Sequence, residues 1–137
     1  MKPKLIVNTN RIIAALIKDS FSRNLLYHLE ADFLGVGFSK KEVNKYKDYI
    51  IKKAKITEQE FENLLEKICS RIIFIDEELL KLYREEAKNI MLHIDPGDVV
   101  FIAAALAAGA DIWSDDPHFT KQKKIKVWRT AELSNLL

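Results

Sequence analysis

Short apolar runs alternate with amphipathic stretches along this chain. Leu5-Ile6-Val7 is an apolar run stopped by the polar triplet Asn8-Thr9-Asn10, a pattern that suits a strand buried on both faces. Ile12, Ile13, Leu16 and Ile17 then follow helical spacing, and a second amphipathic stretch carrying Leu25, Leu26 and Leu29 runs to about Glu30. Two helices are therefore expected between the first and second strands. The second strand reads as Phe33-Leu34-Gly35-Val36-Gly37, after which Ser39-Lys40-Lys41-Glu42 has the form of a capping box opening a helix with Val43, Tyr46, Tyr49 and Ile50 on one face. Thr57-Glu58-Gln59-Glu60 is a second capping box, leading the stripe Phe61, Leu64, Leu65 and Ile68.

The rest of the chain continues the alternation. Ile72-Ile73-Phe74-Ile75 reads as a strand ended by Asp76, and Leu79, Leu80, Tyr83 and Ala87 mark a further helix. Asp95-Pro96-Gly97-Asp98 starts the most apolar helix, with Asp95 as N-cap, Pro96 at the first helical position and Gly109 as the stop. Asp111 to Ser114 is a strand, Asp115 to Thr120 a loop or short helix, Ile125 to Trp128 a last strand, and Thr130 caps a final helix. Short apolar strands alternating with helices predict an α/β fold, a parallel sheet covered on both faces.

Composition narrows the class. A chain of 137 residues suits a single domain, and 48% hydrophobic with 31% charged residues and few Gly or Pro excludes a disordered or collagenous chain. The net charge of +2 neither demands nor forbids a nucleic-acid partner, so any basic surface must be local. One cysteine, Cys69, cannot form an internal disulfide, which points to a reducing cytoplasm. The apolar start is too short for a signal peptide, and the longest apolar run, Val99 to Ala108, is about half of the roughly 20 residues a membrane helix needs.

The acids fall where an open parallel sheet binds ligands, just after the strands. Asn8, Thr9 and Asn10 follow the first strand, Glu42 lies in the helix after the second, Asp95 and Asp98 open a helix, and Asp115 and Asp116 follow the Trp113 strand. Each has an ordinary explanation: Glu42 as capping partner of Ser39, Asp95 as N-cap, Asp98 as dipole complement, Asp115 and Asp116 as turn residues. Those explanations do not account for the joint placement. Gathered carboxylates repel unless some are protonated or a cation neutralises them, and oxygen ligands favour Mg2+ or Mn2+ over zinc. His118 sits two residues beyond Asp116 and touches a metal, a phosphate or nothing, whereas His28 and His93 are given no role and Cys69 reads as a buried, inert thiol. Gly-rich phosphate loops, nucleophile elbows and zinc-ligand pairs are absent from the sequence.

Taken together these motifs resemble the PIN domain nucleases, and especially the small single-domain proteins similar to VapC toxins. An apolar strand followed by Asp-Thr-Asn is matched by Leu5-Ile6-Val7-Asn8-Thr9-Asn10; a Glu in the helix after the second strand is matched by Glu42. The Asp before an Ala-rich helix is matched by Asp98, and the closing strand, Ser or Thr, Asp and Phe by Ile112-Trp113-Ser114-Asp115-Asp116-Pro117-His118-Phe119, with Asp116 as the fourth acid. The resemblance implies a three-layer PIN-like fold, a central parallel sheet with helices on both faces, over residues 1–137. It also implies hydrolysis of RNA phosphodiesters with Mg2+ or Mn2+ held by Asn8, Glu42, Asp98 and Asp116, assisted by Thr9, Asn10, Ser114, Asp95, Asp115 and His118 as accessory groups.

The sequence departs from the pattern at position 8, where the amide of Asn8 keeps an oxygen but removes one negative charge. Asp19, Asp95, Asp111 or Asp115 could supply that charge if the fold brings it close. The alternative is a catalytically impaired RNA-binding or regulatory module of the same fold; a phospho-receiver using Asp76 lacks the acidic pair it needs after the first strand. Lys40, Lys41, Lys45, Lys47, Lys52 and Lys53 flank Glu42, and Lys121, Lys123, Lys124, Lys126 and Arg129 follow Asp116, either as a path for RNA or as solvated faces. By resemblance the partners are RNA, an antitoxin protein if the chain belongs to a toxin pair, and a second copy in a homodimer, for which the Phe61–Ile68 stripe is one candidate surface and core packing its other use.

Overall fold

The structure, a computed structural model, describes residues 2–18, 20–91 and 95–137. Asp19 and His93 therefore lie outside the described residues. Five strands, β1 (Lys4–Val7), β2 (Asp32–Gly35), β3 (Ile72–Phe74), β4 (Asp111–Trp113) and β5 (Val127–Trp128), form one sheet in the order β3-β2-β1-β4-β5. Every pairing is parallel. Leu5 pairs with Phe33 on one side and Asp111 on the other, and Val7 pairs with Trp113, so β1 is the central strand and the strand order reverses between β1 and β4. That reversal opens a crevice beyond the carboxyl ends of these two strands.

Alternation along β1 sorts the core into two layers. Leu5 and Val7 join Phe33 and Trp113 beneath α1 (Thr9–Ile17), α2 (Ser20–His28), α3 (Gly37–Lys45), α4 (Lys47–Ala54) and α5 (Glu58–Cys69). Ile6 joins Ile112 and Phe119 on the other side, covered by α6 (Glu77–Leu82), α7 (Arg84–Met91) and α8 (Val99–Ala108). The three-layer α/β arrangement matches the expectation from sequence. The short α9 (Thr130–Ser134) packs beside α2 through buried Leu133. Helix α8 has no polar face, consistent with burial of Phe101 through Ala105.

Several local expectations need correction. The Thr57–Glu60 capping box is present, with Thr57 Oγ1 accepting from the Glu60 N–H at 3.1 Å and Glu60 Oε1 accepting from the Thr57 N–H at 2.9 Å. The Ser39–Glu42 box is not: α3 begins at Gly37 with Val36 as its N-cap, so Ser39 lies inside the helix, fully buried. The helix expected through Ile50 breaks at Tyr46, leaving Tyr46 and Tyr49 exposed while Val43 and Ile50 are buried. Likewise the stretch from Leu79 to Ala87 divides at Tyr83. Strand β3 is an edge strand, and Ile73, expected inside, is 65% exposed. Asp95 caps a 3-10 turn, Pro96–Asp98, that precedes α8, and Gly109 ends α8 in the left-handed conformation at φ 62°.

Candidate functional site

Val7 leaves the sheet into the crevice, and the next two residues are tied down on arrival. The Asn8 N–H extends the ladder to the Trp113 carbonyl at 3.2 Å, while its side-chain Oδ1 caps α1 by accepting from the Asn10 N–H at 2.9 Å. Thr9, also buried, donates its hydroxyl to Glu42 Oε1 at 2.6 Å and lies 2.7 Å from Ser39 Oγ. A hydroxyl has one proton, so the one on Thr9 is spent on the carboxylate and Ser39 must be the donor to Thr9. The resulting relay runs Ser39 to Thr9 to Glu42. It fixes a carboxylate of α3 against the end of β1, which is the work a local capping box would have prevented.

Asp98 is the electrostatic centre. Its Oδ2 is buried without a hydrogen-bond partner among the described residues, and its pKa is pushed up to about 6. Burial is the largest cause; the charges of Asp95 and Asp116 push in the same direction, His118 opposes them, and Glu42 adds a smaller push. Those same influences map the neighbourhood: Glu42, Asp95, Asp116 and His118 all surround Asp98. Asp95, Asp98 and His118 each offer one ligand atom, and the three atoms lie within 4.8 Å of one another. Asp116 is held by its N–H donating to Ser114 Oγ at 3.0 Å, and its Oδ1 accepts from the His118 N–H at 2.9 Å. The His118 Nδ1 comes to 3.3 Å from that oxygen without hydrogen-bond alignment.

The fold thus brings Asn8, Thr9, Ser114, Glu42, Asp95, Asp98, Asp116 and His118 to one crevice. Asp115 goes elsewhere: it pairs with Arg11 Nη1 at 2.9 Å and accepts both the N–H and the hydroxyl of Thr130 at 2.8 Å. Thr130 is consequently the first residue of α9, with the capping supplied by Asp115. Asn10 is exposed and takes part through its backbone N–H. Asp111, at the opposite end of β4, accepts from Trp128 Nε1 at 2.9 Å, so neither it nor Asp115 replaces the charge missing at position 8. Asp76 caps α6 beyond the edge strand β3, remote from the β1–β4 crevice.

The lysines divide too. Lys47 is committed to Glu58 at 2.7 Å and Glu62 at 2.9 Å, which hold its pKa above the ordinary lysine value. Lys40 lies 4.1 Å over the Phe74 ring and Lys126 lies 3.9 Å over Trp128. Lys41, exposed and next to Glu42 in α3, takes part in none of the ion pairs among the described residues. Phe61 and Ile68 of α5 are in the core. Half-burial raises the Cys69 pKa, in keeping with an inert thiol.

The donor set fits a divalent cation. Clustered carboxylates, one with a buried, unpartnered oxygen, are the environment in which a hard cation relieves repulsion and satisfies an orphaned acceptor together. The sequence placed His118 and Asp95 only among accessory groups, and the structure sets both beside Asp98; the signal available was that each lies within three residues of an acid already singled out.

A family model for the PIN domain matches residues 6–137. Among solved structures, the chain is similar to a chain in the crystal structure of VapBC2 from Rickettsia felis bound to a DNA fragment from their promoter. The TM-score is 0.68 at 19% identity, over 92% of this chain and 98% of that one, a likeness of fold. No curated protein matches the chain.

Proposed function

The chain belongs to the PIN domain family, and from that premise we propose that it is a Mg2+- or Mn2+-dependent endoribonuclease acting through the crevice between β1 and β4. The observation that carries the reading is Asp98, whose buried, unpartnered Oδ2 sits among Glu42, Asp95 and Asp116. Glu42, Asp98 and Asp116 hold the cation, with the Asn8 carboxamide beside them. When bound, a divalent ion supplies Lewis-acid activation of the attacking water and neutralises charge at the phosphate. Thr9 holds Glu42 in one orientation through its hydroxyl, and Ser114 does the same for the Asp116 backbone. With its pKa near 6, Asp98 carries a proton for part of the time until a cation displaces it. Lys41, next to Glu42 and outside the ion pairs that hold Lys47, offers positive charge to the approaching phosphates.

The reading extends to context. Residues 1–137 act as one domain in the cytoplasm, and among the described residues no helix is long and apolar enough to cross a membrane. The fold neighbour's presence in VapBC2 supports a protein partner, of antitoxin type, for this chain; a second copy in a homodimer belongs to the same proposal. Asn8 favours a second reading, an RNA-binding or regulatory module whose cation affinity is too low for turnover. Cleavage of end-labelled single-stranded RNA in Mg2+, Mn2+ or chelator separates the two. Metal-dependent cutting that Asp98→Asn abolishes supports the nuclease; cutting that appears only after Asn8→Asp supports the module.

A further inference from the structure

The carboxylates at Glu42, Asp98 and Asp116 do not exhaust the donors in the crevice. Resting on the metal site proposed above, we propose that Asp95 and His118 ligate the ion together with Asp98, and that the imidazole sets a preference for a first-row transition ion over Mg2+.

Three features of the geometry support this. First, ligand atoms on opposite sides of an ion coordinated at 2.0–2.1 Å stand about 4.2 Å apart. The Asp95, Asp98 and His118 atoms lie within 4.8 Å of one another, so a shift of roughly half an ångström at most brings the widest pair to that spacing. Second, two buried polar atoms without hydrogen-bond partners, Asp98 Oδ2 and His118 Nδ1, occur on residues of this one triad. Buried polar atoms are ordinarily satisfied, so Asp98 Oδ2 marks a missing partner, and His118 Nδ1, whose one polar contact is the unaligned 3.3 Å approach to Asp116 Oδ1, stands beside it. Third, the backbone that carries each added ligand is fixed, and so is the Asp95 carboxylate. Asp95 Oδ1 accepts from the Gly97 N–H at 2.9 Å, which sets the carboxylate's direction and leaves Oδ2 available. A Cβ on Gly97 would stand 3.3 Å from that Oδ1, so glycine here keeps the turn open for the aspartate. His118 is anchored through its N–H to Asp116 Oδ1.

The donor chemistry then decides the metal. An all-oxygen set suits Mg2+, which dehydrates reluctantly and gains little from nitrogen; imidazole shifts preference toward the transition series. Asp95 also brings the formal charge that the Asn8 amide does not, so the crevice reaches four carboxylates by a different route.

The test uses the intact protein and Mn2+ as probe. Loss of the free-ion Mn2+ electron paramagnetic signal gives affinity, Mg2+ competition gives the preference, and spin-echo spectra with and without 15N-histidine show whether nitrogen is bound. The expected results are a nitrogen coupling that changes on labelling and vanishes in His118→Gln, and a Mn2+-over-Mg2+ preference that drops about tenfold in that variant. Asp95→Asn is expected to weaken both ions about tenfold, on the scale of losing a supporting metal contact. The wild-type spectrum needs no variant to fold. Absence of nitrogen coupling, or an unchanged preference in His118→Gln, overturns the inference. RNA cleavage in Mg2+ without nitrogen coupling overturns it while leaving the nuclease standing; nitrogen-bound Mn2+ without cleavage supports the inference and removes the nuclease.

Discussion

Replacing Thr9 by valine keeps the side chain's shape and removes one hydroxyl, which tests the direction of the Ser39–Thr9–Glu42 relay. In the wild type, Thr9 donates to Glu42 at 2.6 Å and sits 2.7 Å from the fully buried Ser39 hydroxyl. In Thr9→Val, a bond to a charged group disappears, nominally about 1.5–3 kcal/mol but nearer the low end because Glu42 is partly exposed and regains water. The Ser39 hydroxyl is simultaneously left buried and unpaired, which adds about 1–2 kcal/mol. The total is about 3 kcal/mol. Ser39→Ala behaves differently, because Thr9 still donates to Glu42 and only a neutral bond of about 1 kcal/mol is lost, offset by roughly 0.5 kcal/mol of improved helix propensity within α3. The double variant has no orphaned Ser39, so it should cost about 1 kcal/mol less than the sum of the singles. Urea unfolding in chelator at neutral pH, with m-values checked for constancy, measures all four proteins. Equal costs for the two single variants, or strict additivity, would refute the assigned proton direction.

Other outcomes follow from the same contacts. The folded-state pKa of Asp98, about 6, lies above the ordinary 3.8, so in chelator its ionisation destabilises the fold as pH rises through that window; Asp98→Asn should melt higher than wild type at pH 7–8, with the advantage fading toward pH 4 in pH-dependent thermal scans. Adding Mn2+ should raise the wild-type melting temperature and leave that of Asp98→Asn almost unmoved. Asp115→Ala removes the Arg11 ion pair and both Thr130 bonds, a loss of about 2 kcal/mol by denaturant titration, with Mn2+ affinity changed less than twofold because this acid does not face the cluster. Gly109→Ala places a Cβ at φ 62° with open space around it, so its cost is conformational, about 1 kcal/mol, and calorimetry reads it directly.

The apolar runs were legible because burial on both faces leaves no room for polar residues: Leu5-Ile6-Val7 and Ile112-Trp113 are strands as read. The Gly109 stop of the most apolar helix was also legible, since capping is local chemistry, and so was the capping role of Asp95, although the element it caps is the 3-10 turn before α8. The contact that orients Glu42 was not, because Ser39-x-x-Glu42 has the form of a capping box while its actual partner, Thr9, lies 33 residues away. Asp115 and Asp116 are neighbours that the backbone sends in opposite directions, one to Arg11 and Thr130 and one toward Asp98. Sequence spacing cannot divide such a pair. The breaks at Tyr46 and Tyr83 likewise interrupt continuous helical patterns, with α4 packed on α1 and both α6 and α7 packed on α8.

The proposed chemistry depends on the acids around Asp98 forming a cation site. Crystals soaked in Mn2+ and measured at the manganese absorption edge test it most directly. An anomalous peak is expected within coordination distance of Asp98 Oδ2, between Asp95, Asp116 and His118 and on the Glu42 side of the crevice, lost in Asp98→Asn. A crevice without a peak at saturating Mn2+, or a peak confined to other surface carboxylates, would contradict it.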